Sequence, residues 1–239
     1  MGRREEHRAA LRALDDDDVR AYLAAHSGLP GPRGNLELID AFADVAPGPL
    51  VRALADDADE YLRCCGTAGL GRLLLEARGR PDADDLGALL RERAADPLWR
   101  VREATAMALQ RIGDDDPATL RTLVADWVRD PHPLVRRAAV AGVCEPRLLR
   151  DPATAAAALD ACAVATAGLA AVPPDARRDP DVRTLRQALG YCWSVAVAGD
   201  PAAGLPAFAA LRAGTGDDAD VAWVVRENEK KSRLRRLLD

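Results

Sequence analysis

Residues 84–112, DDLGALLRERAADPLWRVREATAMALQRI, align without a gap on residues 118–146, ATLRTLVADWVRDPHPLVRRAAVAGVCEP, at a spacing of 34. Leu86 matches Leu120, Leu90 matches Val124, Asp96-Pro97 matches Asp130-Pro131, and Val101-Arg102 matches Val135-Arg136. Each unit opens with apolar residues at i, i+3, i+4 spacing, the signature of an amphipathic helix. An Asp-Pro pair then stops that helix, because proline cannot continue the hydrogen-bond ladder and pushes the residue before it out of the α region. A second helix is expected to begin near the Val-Arg pair. A helical hairpin of this kind leaves an apolar face open at each end, and stacked neighbours close it.

Outward from this pair the signal weakens but continues. Residues 50–57 followed by 61–76 predict an earlier hairpin, with Leu62-Arg63 in the Val-Arg place, and Asp18-Val19-Arg20 marks an N-terminal copy. Near the other end Trp223-Val224-Val225-Arg226-Glu227 repeats Trp99-Arg100-Val101-Arg102-Glu103 as Trp-x-Val-Arg-Glu. Residues 27–34, SGLPGPRG, are a loop, and Asn35 is placed to cap a helix over Leu36–Val45. Residues 172–181 separate two long helices over 153–171 and 182–198. The whole chain, 1–239, reads as one repeat domain, clearest at 84–113 and 118–150.

Composition agrees. Aromatics are 4% of the chain, so Ala, Leu and Val must fill the core, and Ala and Leu are strong helix formers. The fold class expected is all-α, an α-solenoid of stacked antiparallel hairpins. The Ala-rich stretch 153–172 contains Asp160 and reads as a packed helix, with no membrane span expected. Five cysteines lie without metal-ligand spacing and read as reduced core thiols of a soluble, cytoplasmic protein. The glycines of Gly66-Thr67-Ala68-Gly69 read as close helix packing, and the Asp15–Asp18 run as a helix start.

The Asp-Pro and Val-Arg positions resemble those of the HEAT-repeat family. That likeness implies a ladder in which Asp and Arg of neighbouring repeats pair, here through Asp96, Asp130, Arg102 and Arg136. It also implies a concave surface, lined by the inner helices, that holds a protein, peptide or small ligand.

No phosphate loop, nucleophile elbow or metal cluster is present in the sequence, and no cofactor is expected. The net charge is −5, but residues 224–239 hold six basic against three acidic groups, and residues 97–150 nine against seven. A local basic face is therefore compatible with an acidic protein. Trp99 and Glu103 share one helical face, and Arg136 and Arg137 hold the matching place one repeat on. This set is similar to the alkylpurine DNA glycosylases of the AlkD-like family. The resemblance implies Glu103 as a catalytic carboxylate, Trp99 with Trp193 or Trp223 as aromatic contacts, Arg137 as a phosphate or carboxylate partner, and duplex DNA as substrate. Under either reading the binding residues expected are Trp99, Arg100, Arg136, Arg137, Trp193, Trp223 and Arg226. The alternative role for the tryptophans is packing between repeats.

Overall fold

The computed structural model describes residues 2–31, 34–216 and 218–238. Among them are fourteen α-helices, two 3₁₀ turns and no strand, so the protein is all-α. The chain divides into two compact units, Met1–Ile112 and Gly113–Asp239.

The first unit holds α1 (Arg3–Arg12), α2 (Asp16–His26), α3 (Leu36–Val45), α4 (Gly48–Ala55), α5 (Glu60–Glu76), α6 (Asp82–Ala94) and most of α7 (Trp99–Asp115). Its spine is α5, which packs on α2, α3, α4 and α6. Tyr61, Leu62, Leu70 and Leu74 of α5 are buried, and so are its glycines. A Cβ on Gly66 would lie 2.0 Å from the backbone nitrogen of Ala55 in α4, and one on Gly71 would lie 2.4 Å from the carbonyl oxygen of Ala108 in α7. The expected close packing at this glycine run is therefore present.

The second unit holds α8 (Pro117–Trp127), α9 (Pro133–Val143), α10 (Pro152–Ala170), α11 (Pro180–Gly199), α12 (Pro201–Ala213), α13 (Ala219–Glu229) and α14 (Ser232–Leu238). Here α11 is central, with α9, α10, α12, α13 and α14 against it. By length and composition α10 is apolar enough to cross a membrane, and half of its apolar window is buried within the protein. All five cysteines are buried and free, as expected for core thiols, and the Sγ atoms of Cys144 and Cys162 are 3.7 Å apart.

Aspartate sets the helix starts. Asn35 accepts from the Leu38 N–H and begins α3, and Asp15 accepts from the Asp18 N–H and begins α2. Asp116-Pro117, Asp151-Pro152, Asp179-Pro180 and Asp200-Pro201 each place a capping carboxylate before a first-turn proline. Proline suits that position because its missing N–H would have no partner there. Asp96-Pro97 and Asp130-Pro131 behave differently: their helices start three residues after the aspartate, at Trp99 and Pro133, two residues before the Val-Arg pair.

The aspartates before α5, α7 and α9 share one bonding pattern. Asp57, Asp96 and Asp130 each accept, through the carboxylate, the N–H two residues on, at 2.9, 2.8 and 2.8 Å. Each also accepts, at its carbonyl, the arginine six residues on: Arg63, Arg102 and Arg136. Within the first unit Arg20 pairs with the Asp57 carboxylate and Arg63 with that of Asp96. Of the aspartates anticipated to pair with an arginine of a neighbouring hairpin, Asp96 meets Arg63, and Asp57, not anticipated, meets Arg20. Arg102 and Arg136, anticipated as rungs, clamp the start of their own helices.

A second charged cluster ties α1 to α3 and α7. Asp44 accepts from Arg4, Arg8 and Arg111, the last at 2.6 Å. Burial raises its carboxyl pKa, but bonds from Arg111, Arg8 and Arg4 outweigh burial and hold it below the ordinary value. A group depressed in this way stabilises the fold above its unfolded pKa, and the contribution is lost as pH falls through the folded value. Asp44→Asn is expected to cost about 1–2 kcal/mol at neutral pH, after allowing for solvent screening at Arg4 and Arg8. The gap from wild type should close on acidification below about pH 4, as measured by urea unfolding at successive pH values. A gap that stays constant with pH would remove Asp44 as its source.

Candidate functional site

The start of α7 opens a groove in the first unit. Its volume is about 410 Å³, and its walls include Leu36 and Ile39 of α3, Tyr61 and Cys64 of α5, and Trp99, Glu103 and Met107 of α7. Trp99, Glu103 and Met107 follow at four-residue spacing, which puts them on one helical face. Trp99 is 52% exposed and Leu36 59%, unusual values for side chains of that size in a folded core. A second, more polar cavity of about 450 Å³ adjoins; it shares Tyr61 and Arg100 and is lined also by Asp59 and Glu60.

Arg100 holds Trp99 in place. Its guanidinium carbon lies 4.7 Å from the Trp99 ring centroid, and its Nη1 donates to Glu60 at 2.9 Å. The Arg100 Nε is buried and has no hydrogen-bond partner among the described residues. A guanidinium lying flat on an indole gains cation–π attraction and fixes the ring's tilt.

The rim formed by α3 is held through Asn35. Its backbone N–H donates to the Ser27 carbonyl at 2.8 Å, and its own carbonyl accepts the Tyr61 hydroxyl at 2.7 Å. Its side-chain nitrogen donates to the His26 carbonyl at 3.2 Å and contacts His7 Nε2 at 3.4 Å. Leu36 follows directly and, exposed, lines the groove with the buried Ile39 one turn on.

Cys64 does not supply a nucleophile to this groove. Burial, with the Glu60 charge beside it, pushes its thiol up to about 12, so the reactive thiolate is suppressed. Burial also raises the Tyr61 phenol.

The expected site residues lie in both units. Trp99, Arg100 and Glu103 come together in the first unit. Arg136 and Arg137 belong to the second, where Arg136 is occupied with the Asp130 carbonyl and crosses to Gly168 of α10. Trp193, expected as a binding aromatic, is a correction: it is 2% exposed, donates its indole N–H to the Thr166 hydroxyl at 2.9 Å, and meets Phe208 edge-on. On the central α11 it packs in the core and also lines a cavity of about 330 Å³ with Thr166, Leu211 and Val221. Trp223 is half-buried against Gly190, with Arg186 stacked at 4.6 Å and in turn bonded to Asp220. Arg226 is exposed on α13. The two Trp-x-Val-Arg-Glu runs therefore both carry an arginine-stacked indole. The arginine is the next residue at Trp99 and comes from another helix at Trp223.

Leu36 and Tyr61 were not among the sequence candidates.

No family model matches the chain, and no curated protein matches it. A solved structure of an engineered protein, from the Northeast Structural Genomics Consortium, is similar at 17% identity with a TM-score of 0.37, over 99% of this chain and 98% of that one. At that score the likeness carries no argument about fold or function.

Proposed function

We propose that the chain is a HEAT-like α-solenoid that works as a holding surface, and that the groove beside Trp99 is where a protein, peptide or small ligand sits. The repeat reading is supported by the common Asp carboxylate, Asp carbonyl and Arg pattern at the starts of α5, α7 and α9. The observation that carries the functional reading is the groove itself, where two of the four large apolar side chains exposed among the described residues line one cavity. Concave, mostly apolar cavities with a few polar groups are where ligands bind.

The test uses small aromatic and aliphatic fragments titrated into the isotope-labelled protein. The Trp99 indole N–H signal, assigned by Trp99→Phe, is expected to move while that of the buried Trp193 stays still. Trp99→Ala should weaken fragment binding about tenfold or more, as loss of an aromatic anchor does, without lowering stability. A fragment panel that leaves the Trp99 signal unmoved overturns the reading.

A second reading, an AlkD-like glycosylase acting on N-alkylated bases, is favoured by one observation: Glu103 and Trp99 line the same groove one helical turn apart. A carboxylate there would stabilise positive charge developing at the sugar or orient a water. It predicts base release from N-alkylated duplex and duplex affinity that falls with salt. Glu103→Gln should abolish release with the fold intact. Absence of both duplex binding at low salt and base release removes this reading and leaves the first standing.

A further inference from the structure

Arg147, Arg177 and Arg186 of the second unit each meet a carboxylate. The end of the chain is different. Residues 230–239 hold five basic side chains against one acidic, Asp239. Lys230 pairs with Glu227, but Lys231, Arg233, Arg235 and Arg236 have no carboxylate partner among the described residues. Lys231 and Arg233 converge on one aromatic ring, that of Tyr191 on α11. They lie 5.8 and 5.0 Å from its centroid, and Arg233 donates to its hydroxyl at 2.8 Å. Tyr191 is 43% exposed. Arg236 follows three residues after Arg233, which makes the two neighbours on α14.

Helix stability does not account for this grouping. The helix dipole favours cations in the last turn, which suits Arg235 and Arg236. Lys231 and Arg233 stand at the other end of α14, where the dipole disfavours them and each repels the other. The residue that seats the helix is Leu234, which is fully buried. An exposed aromatic ring among cations supplies the two things a single strand of nucleic acid binds: a flat face for a base and positive charge for phosphates. In a duplex the bases are stacked on one another and cannot reach such a ring. An anionic bilayer fits less well, because Leu234 is turned inward and Leu238 is the one large apolar side chain exposed among the described residues of α14.

We propose that Tyr191, Lys231, Arg233 and Arg236 form a binding surface for single-stranded nucleic acid, with one base against the Tyr191 ring and neighbouring phosphates on the three cations. The surface shares no residue with the groove beside Trp99, so it stands or falls independently of that reading.

The experiment is fluorescence anisotropy on the full chain with three labelled probes: an oligothymidylate of about twelve nucleotides, within the usual site size of single-strand binders, its abasic analogue, and a duplex of the same length. At low salt the oligothymidylate should bind about tenfold more tightly than either of the others. Tyr191→Ala should weaken it about tenfold and bring it level with the abasic strand, while Tyr191→Phe, which keeps the ring, should stay within about threefold of wild type. Lys231→Gln with Arg236→Gln leaves the Arg233–Tyr191 contact in place and removes two phosphate contacts. Each such contact contributes about 0.7 to the slope of log affinity against log salt, so the slope should become shallower by about 1.4. Arg147→Gln, at an exposed cation elsewhere in the second unit, should change neither affinity nor slope. Circular dichroism melts confirm that each variant is folded. The proposal is overturned if the oligothymidylate does not bind at low salt, if the abasic strand or the duplex binds as tightly, or if Tyr191→Ala binds as wild type does. Binding to phosphatidylserine vesicles without binding to the oligothymidylate overturns it in favour of a membrane surface.

Discussion

Gly66→Ala should cost the first unit about 3 kcal/mol or more, enough to lower its urea midpoint sharply or prevent its folding. Two effects oppose each other. Replacing a helical glycine by alanine gains about 1 kcal/mol of helix propensity. Against that, the new Cβ would sit 2.0 Å from the Ala55 nitrogen and 2.4 Å from the Leu54 carbonyl carbon. Those are backbone atoms, so no rotamer change relieves the clash, and α4 must move off α5. Overpacking of that kind costs about 1–3 kcal/mol and sometimes more, and here a whole helix contact is at stake. Gly87→Ala is the control. Its Cβ would meet only a Leu74 methyl at 3.9 Å, so propensity wins and stability should rise by about 0.5–1 kcal/mol. Gly69→Ala falls between, because the obstacle is the Val51 side chain, which can shift. Urea unfolding followed by circular dichroism ranks the three. Equal stability of Gly66→Ala and wild type would mean that α4 and α5 are further apart than described.

Asp96→Ala is the second large effect, at about 3 kcal/mol. The Asp96 side chain is 2% exposed and that of Arg93 7%, and the carboxylate accepts from Arg63, Arg93 and the Leu98 N–H. Removing one partner of a buried ion pair typically costs about 3–5 kcal/mol, because the charge left behind stays desolvated. The lower end applies here: Arg93 keeps Glu92, and Arg63 keeps the Asp57 carbonyl. Asp114→Ala tests whether burial is the cause. Asp114 also pairs with an arginine, Arg147, but both side chains are 44% exposed, so the loss should be about 0–1 kcal/mol and should shrink further in salt. If the two variants lose equal stability, burial of the Asp96 cluster is not what matters. Asp96→Asn retains an acceptor for Leu98 without the charge, and its cost should lie between those of Asp96→Ala and wild type.

The helices were legible where backbone chemistry acts locally. Asn35, Asp15 and the Asp-Pro pairs mark starts because capping and the proline ring involve only neighbouring residues. The 34-residue alignment found equivalent positions for the same reason, since Asp96 and Arg102 bond within six residues of each other. The helices expected to begin near Val101 and Val135 start two residues earlier, because the Asx-type bond from aspartate to the second N–H begins the turn before the apolar pattern does. The groove was only half legible. Trp99 and Glu103 lie on one helix face and could be paired from spacing alone, but Leu36 and Tyr61 reach them only through tertiary packing of α3 and α5. Burial of Trp193 is legible in its neighbours. Its own run, Cys192 to Val197, is apolar on all sides save Ser194, which is the pattern of a helix surrounded by others. Nothing in that run's sequence names Thr166 as the indole's partner, since Thr166 lies 27 residues earlier.

The two sides of α7 divide labour in a way that bears on how such a protein can diversify. Ala104, Ala108 and Leu109 are locked into the interior, and Ala108 lies against a glycine that can accept no side chain. Positions 99, 103 and 107 line the groove, with Trp99 and Glu103 exposed there. A lineage can therefore exchange the chemistry of the groove by altering three surface positions while the frame passes unchanged from ancestor to descendant. Duplicated copies of this gene would be expected to drift apart first at 99, 103 and 107, and last at 66 and 71.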